Sequence, residues 1–199
     1  MNAAVFPVSQ NSVSLLAAGN DPMVLTRIVE QDIGAVLWQR PPDDWADGLI
    51  AALSLMPLRF SASGSLSDLL RQVSQLVPME TPGRSELLAD VEMITDMFGV
   101  LMGASSLGIR IATLDGPMCP KWHTDRVTAR MMVSLGSAGT EFIDQWSDQP
   151  DEQGRCQAAA HDVLMLRGDL WPGGGGRGVW HRSPACGHPR LLLTLDALS

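Results

Sequence analysis

The sequence predicts an α+β chain, with a helical first half laid against an antiparallel jelly-roll second half. Three observations carry this. Apolar residues recur with helical period up to about residue 104; from residue 105 the period changes to two; and six short strand-like runs then follow with no helical pattern between them. At 199 residues and 45% hydrophobic, the chain is long enough to bury a core, and with 18% charged residues it is not composed like a disordered one.

The helical half is read in order. Asp21-Pro22 supplies an N-cap and a proline at the first helical position, ahead of Leu25, Ile28 and Val29. Ile33–Gln39 reads as a short buried strand closed by Pro41-Pro42. Asp43 and Asp44 precede a stripe of Trp45, Leu49, Ala52, Leu53 and Met56. Ser65 precedes Leu66, Leu69, Leu70, Val73, Leu76 and Val77, and a last stripe runs from Leu87 through Val91, Ile94 and Phe98 to Met102. The division expected is 1–104, mainly helical, and 105–199, the jelly-roll core, together forming one compact unit.

In the second half, Leu107, Ile109 and Ile111 alternate with Gly108, Arg110 and Ala112, the signature of a half-buried strand. Further strands are expected at Ala129–Leu135, Thr140–Trp146, Val163–Arg167, Gly178–Arg182 and Arg190–Asp196. The glycine run 173–176 leads into Arg177-Gly178-Val179-Trp180 rather than Lys-Ser/Thr and a helix. It is therefore a connection between strands, not a phosphate loop.

Composition excludes several function classes. The formal charge is −8, with no basic run, which argues against a nucleic-acid groove. Lys121 is the single lysine, so lysine-based covalent chemistry would rest on one residue. Three cysteines, Cys119, Cys156 and Cys186, do not make a disulfide framework. No apolar run reaches the ~20 residues of a membrane span, and the N-terminus lacks the pattern of a signal peptide, so the cytoplasm is the default compartment.

The chemistry concentrates on histidine. His123 and Asp125, at i and i+2 of an extended segment, project to one face, and His181 ends a later strand 58 residues on. His-x-Asp…His is the ligand set of the 2-His-1-carboxylate triad, which holds Fe(II) on one face and leaves positions open for a co-substrate and O₂. Arg190, nine residues after His181, opens the last strand, where a guanidinium can take the distal carboxylate of 2-oxoglutarate. Trp122 and Trp180 flank the ligands and are candidate pocket walls. No catalytic residue beyond the metal ligands is identified. The same three ligands with a bound water would serve a hydrolytic Zn(II) or Mn(II) site. Cys119, His123, Cys186 and His188 form a rival tetrahedral set, but with spacings unlike those of a zinc finger. His161 is expected in a loop or at a strand edge.

The segments Met118–Asp125, Gly139–Phe142, Leu166–Gly168 with Trp171–Gly173, His181–Pro184 and Arg190–Asp196 resemble the bacterial family of unknown function DUF 1826. The resemblance covers most of the chain. Association of that family with zinc-homeostasis gene neighbourhoods implies a metal-linked role, and with it an alternative reading as a non-catalytic metal-binding protein. More distantly, the same segments are similar to the 2-oxoglutarate/Fe(II) oxygenases built on a double-stranded β-helix. That likeness implies His123, Asp125 and His181 as iron ligands, Arg190 as the 2-oxoglutarate anchor, and hydroxylation of a small-molecule or protein substrate. Two departures are plain: the chain has no tyrosine to help hold 2-oxoglutarate, and Arg190 is followed by leucines rather than Arg-x-Ser.

Overall fold

The computed structural model describes residues 14–55, 57–185 and 189–198. Met56, Cys186 and His188, named above, lie outside these residues, as does the N-terminal segment read for targeting. In chain order the strands are β1 (Leu16–Gly19), β2 (Ala35–Trp38), β3 (Arg59–Gly64), β4 (Leu107–Leu114), β5 (Ala129–Leu135), β6 (Glu141–Ile143), β7 (Arg155–Gln157), β8 (Val163–Arg167), β9 (His181–Arg182) and β10 (Arg190–Ala197). The helices are α1 (Trp45–Leu55), α2 (Leu66–Leu76) and α3 (Arg84–Met102), with 3-10 turns at Pro22–Val29 and Glu152–Gly154.

Local signals act where expected. The Ser65 hydroxyl caps α2 by accepting from Asp68 N, and Gly103, at φ 59°, ends α3 in the left-handed conformation that favours glycine. Asp21 caps the first helical segment, which is a 3-10 helix. With three residues per turn, Leu25 and Ile28 stack on one face and are buried, while Val29 turns outward.

Two sheets organise the chain. The larger runs β1-β2-β8-β5-β10-β4-β3, and the smaller runs β7-β6-β9. Strands of the first half sit at both ends of the large sheet, so residue 104 is no boundary within it. Sequence reading anticipated β2 but not β1, β3 or β7. β1 and β7 are too short to show a period, and β3 (Arg-Phe-Ser-Ala-Ser-Gly) is built mostly from small residues that carry no strand signal. β6 and β9 are shorter than the runs expected for them, because only those residues find ladder partners.

The two faces of the large sheet have different neighbours. Leu191, Leu193 and Leu195 of β10, with Met131 and Val133 of β5, pack with Leu49, Leu69, Val91 and Phe98 of the helices in one apolar core. On the opposite face, Met132, Leu164, Leu166, Ala35 and Leu37 pack with Phe142, Ala158 and Val179 of the small-sheet side. β10 is buried on both faces, with Leu191, Leu193 and Leu195 on the helix side and Arg190, Leu192, Thr194 and Asp196 on the other, so it shows no plain alternation of exposed and buried residues. No helix among the described residues is long and apolar enough to cross a membrane.

Candidate metal centre

His123 has no long strand of its own. It is held by an isolated antiparallel bridge to His181: His123 N–H donates to His181 O at 3.1 Å, and His181 N–H donates to His123 O at 2.9 Å. Directly bridged residues project to the same face, and Asp125, two residues along, joins them. The imidazole centroids lie 4.4 Å apart. One ligand atom from each of His123, Asp125 and His181 lies within 4.8 Å of the others. His181 Nε2 is 3.0 Å from Asp125 Oδ2, and His123 Nε2 is 3.9 Å from Oδ1.

Both rings are oriented by the backbone. His123 Nδ1 lies 3.0 Å from Lys121 O, and His181 Nδ1 lies 3.0 Å from Val179 O. A carbonyl only accepts, so each Nδ1 donates to it and each ring turns its Nε2 toward the Asp125 carboxylate. Two ring nitrogens and a carboxylate therefore face one point. That is the donor set of a cation, and three protein ligands on one side of an octahedron leave three positions open.

Asp125 is kept ionised. Burial raises its carboxyl pKa, but the hydrogen bond and charge of His181, with the charges of Arg130 and His123, outweigh burial and hold it at about 2. Arg130 binds Asp125 Oδ2 through Nη1 and reaches Asp196 Oδ1 and Oδ2 at 2.7 and 3.0 Å, while Arg110 caps Asp196 from the other side. A chain of alternating charge thus runs from the cluster along the inner face of the sheet.

The loop that carries Asp125 is clamped from below. Gly168 N–H donates to Thr128 O, Asp169 N–H to Asp125 O and Leu170 N–H to Val127 O, at 2.9–3.1 Å. A Cβ on Gly168 would stand 2.8 Å from Asp125 O and closer still to Val127 O, so only glycine fits there. The Asp169 carboxylate accepts from Thr124 Oγ1 (3.0 Å) and Gly178 N (2.9 Å), tying the first ligand segment to the one that leads into His181. Sequence reading gave Gly168 and Asp169 no role. The Leu166-Arg167-Gly168 run was visible, but what it touches depends on contacts some 40 residues away.

The remaining candidates fall as follows. Arg190 is buried, 2% exposed, and shares the inner face with Leu192, Thr194 and Asp196. On that face the hydroxyls of Ser134, opposite Leu192, and Thr194, opposite Met132, are buried and meet no hydrogen-bond partner among the described residues. Trp122 and Trp180 do not wall the cluster. As strand neighbours of His123 and His181 they project to the other face: the Trp122 indole N–H donates to Glu152 and its ring lies under Arg182 (4.2 Å), while the Trp180 N–H donates to Ser147 O. Cys119 is exposed; its backbone N–H donates to Ser183 Oγ. His161 lies across the large sheet, edge-on to Trp45 at 6.0 Å.

A family model described as "Protein of unknown function (DUF1826)" matches residues 19–196. No curated protein matches the sequence. Among solved structures, the chain is similar to a dioxygenase for auxin oxidation from rice, at 15% identity and TM-score 0.59, over 83% of this chain and 74% of that one. It is similar also to dioxygenase for auxin oxidation 1 of Arabidopsis thaliana in its 2-oxoglutarate complex, at 13% identity and TM-score 0.51, over 80% and 66% of the two chains. Likeness at these identities is likeness of fold: the two sheets form a jelly roll like theirs.

Proposed function

This chain belongs to the DUF1826 family, and from that premise we propose that it is an Fe(II)- and 2-oxoglutarate-dependent oxygenase. The observation that carries the reading is the convergence of His123 Nε2, the Asp125 carboxylate and His181 Nε2 within 4.8 Å, with both Nδ1 atoms tied to carbonyls. In this reading those three residues hold the iron. Bound Fe(II), 2-oxoglutarate and O₂ would supply the oxidising power for hydroxylating a C–H bond.

The chain's own residues fit the co-substrate. Arg190 offers a buried guanidinium on the inner face, matched to a distal carboxylate. The buried Ser134 hydroxyl on the same face, without a partner among the described residues, supplies a hydrogen bond that a carboxylate would accept, in place of the absent tyrosine. Arg130 fixes one oxygen of Asp125, which leaves the other for the metal. Leu192, Met132 and Leu164 keep the floor of the site apolar, which strengthens each charged contact above it.

The test is an anaerobic titration of metal-free protein with Fe(II), then with 2-oxoglutarate, following the visible metal-to-ligand charge-transfer band. The band is expected in the wild type and lost in His181→Ala and Arg190→Ala. Tight Fe(II) binding without a band would replace this reading by a non-catalytic metal-binding role. Absence of any metal binding would reject the centre itself.

A further inference from the structure

The inner face of β3, β4 and β10 borders a cavity of about 260 Å³ lined by Arg59, Ser61, Arg110, Met118, Leu192 and Thr194. We propose that this cavity is the substrate site and that it takes a small organic carboxylate with an apolar body. The inference rests on the oxygenase reading for what happens to that ligand, but not for its binding.

Register places the parts. Arg59 stands opposite Ala112, and Ala112 stands opposite Leu192, so the three form one row across three strands, about 10 Å wide at 4.8 Å per strand. In the adjacent row Ser61 faces Arg110, and Arg110 faces Thr194. Asp196 is next along β10, and through Arg130 it reaches the metal ligand Asp125. The cavity therefore runs from Arg59 on the outer edge strand, over an apolar floor of Ala112 and Leu192 with Met118 at its border, to Thr194 on the side of the metal centre.

The charges differ in a way that selects the ligand. Arg110 is already matched by Asp196. Arg59 forms no ion pair or side-chain hydrogen bond among the described residues, in a chain whose formal charge is −8. An unmatched guanidinium at one end of a mostly apolar cavity takes a carboxylate, in the two-point geometry arginine favours. At the other end the cavity closes on Thr194, which is more than nine-tenths buried. The size admits a monocarboxylic acid of modest length.

The probes are phenylacetate and octanoate, each compared with its neutral amide, titrated into metal-free protein and followed by ligand-observed NMR. At least one acid is expected to bind tenfold or more tighter than its amide. In Arg59→Gln that preference should disappear with a tenfold loss of affinity. Binding should persist in Arg190→Ala and His181→Ala. Equal binding of acid and amide, no binding of either acid, an unchanged Arg59→Gln, or loss in Arg190→Ala would each overturn the proposal, the last by showing that the acids occupy the co-substrate position. Failure of the charge-transfer experiment with this pattern intact would sink the oxygenase reading and leave the carboxylate site standing; the reverse result would do the opposite.

Discussion

Replacing Gly168 by alanine adds one methyl group, and the structure says where it goes. The new Cβ would lie 2.8 Å from Asp125 O, 2.9 Å from the Val127 carbonyl carbon and nearer still to Val127 O. Ordinary contact for such atoms begins near 3.4 Å, so the backbone must retreat by about 0.6 Å at Asp125 O and by more than that at Val127 O. The retreat also stretches the hydrogen bonds that Asp169 and Leu170 donate to Asp125 O and Val127 O. Overpacking of this kind costs about 1–3 kcal/mol, which at roughly 2–4 °C per kcal/mol for a chain of this size lowers Tm by about 2–12 °C. Metal ligands need placement within ~0.5 Å, so Fe(II) or Co(II) affinity should fall 10- to 100-fold. Calorimetric melting and a metal titration of Gly168→Ala check both figures. Gly116→Ala is the control, because a Cβ there meets nothing within 4 Å. If Gly168→Ala melts within 1 °C of wild type and binds metal within threefold, the account of the clamp beneath Asp125 is wrong.

Other consequences follow from the same geometry. Arg130→Leu leaves the Asp125 carboxylate largely buried without its guanidinium partner and should destabilise the fold by about 3–5 kcal/mol; denaturant melts would show it, and a loss under 1 kcal/mol would contradict the charged chain described. Burial, aided by the charge of Arg40, holds the His161 imidazole below its ordinary pKa, so the folded state binds fewer protons there than the unfolded chain. Its stabilising share is present above about pH 6.5 and is lost as pH falls through the lower folded value. Melting temperature against pH should accordingly flatten in that range in His161→Gln. Asp125 makes the corresponding contribution further down: full above about pH 4 and lost as pH drops toward about 2. Asp125→Asn should remove that part of the acid transition and abolish metal binding at neutral pH.

How much of this was legible beforehand differs element by element. Ser65 and the leucine stripe behind it mark α2, and the alternation of Leu107, Ile109 and Ile111 marks β4, because a cap and a period are local properties of the chain. The i, i+2 spacing put His123 and Asp125 on one face for the same reason, and it put Trp122 on the other, so the expectation that Trp122 lines the site conflicted with the spacing that located the ligands. β3 left no trace, since Ser-Ala-Ser-Gly carries no strand preference and its place in the sheet is decided by pairing with β4.

The sequence by itself determined the helices and most strands, and the residue types able to hold a cation. Tertiary structure alone decided that His123 bridges His181 directly, that Arg130 is shared between Asp125 and Asp196, and that Gly168 lies against the ligand loop. It also decided that Arg59 comes within two strands of Leu192. The physical reason is range. Periodicity and capping are set within a few residues, whereas the His123–His181 bridge, the Arg130–Asp196 pair, the Gly168 contacts and the Arg59–Leu192 row join residues from 41 to 133 positions apart. Register is chosen by the simultaneous burial of both sheet faces, and no short stretch of sequence contains that information.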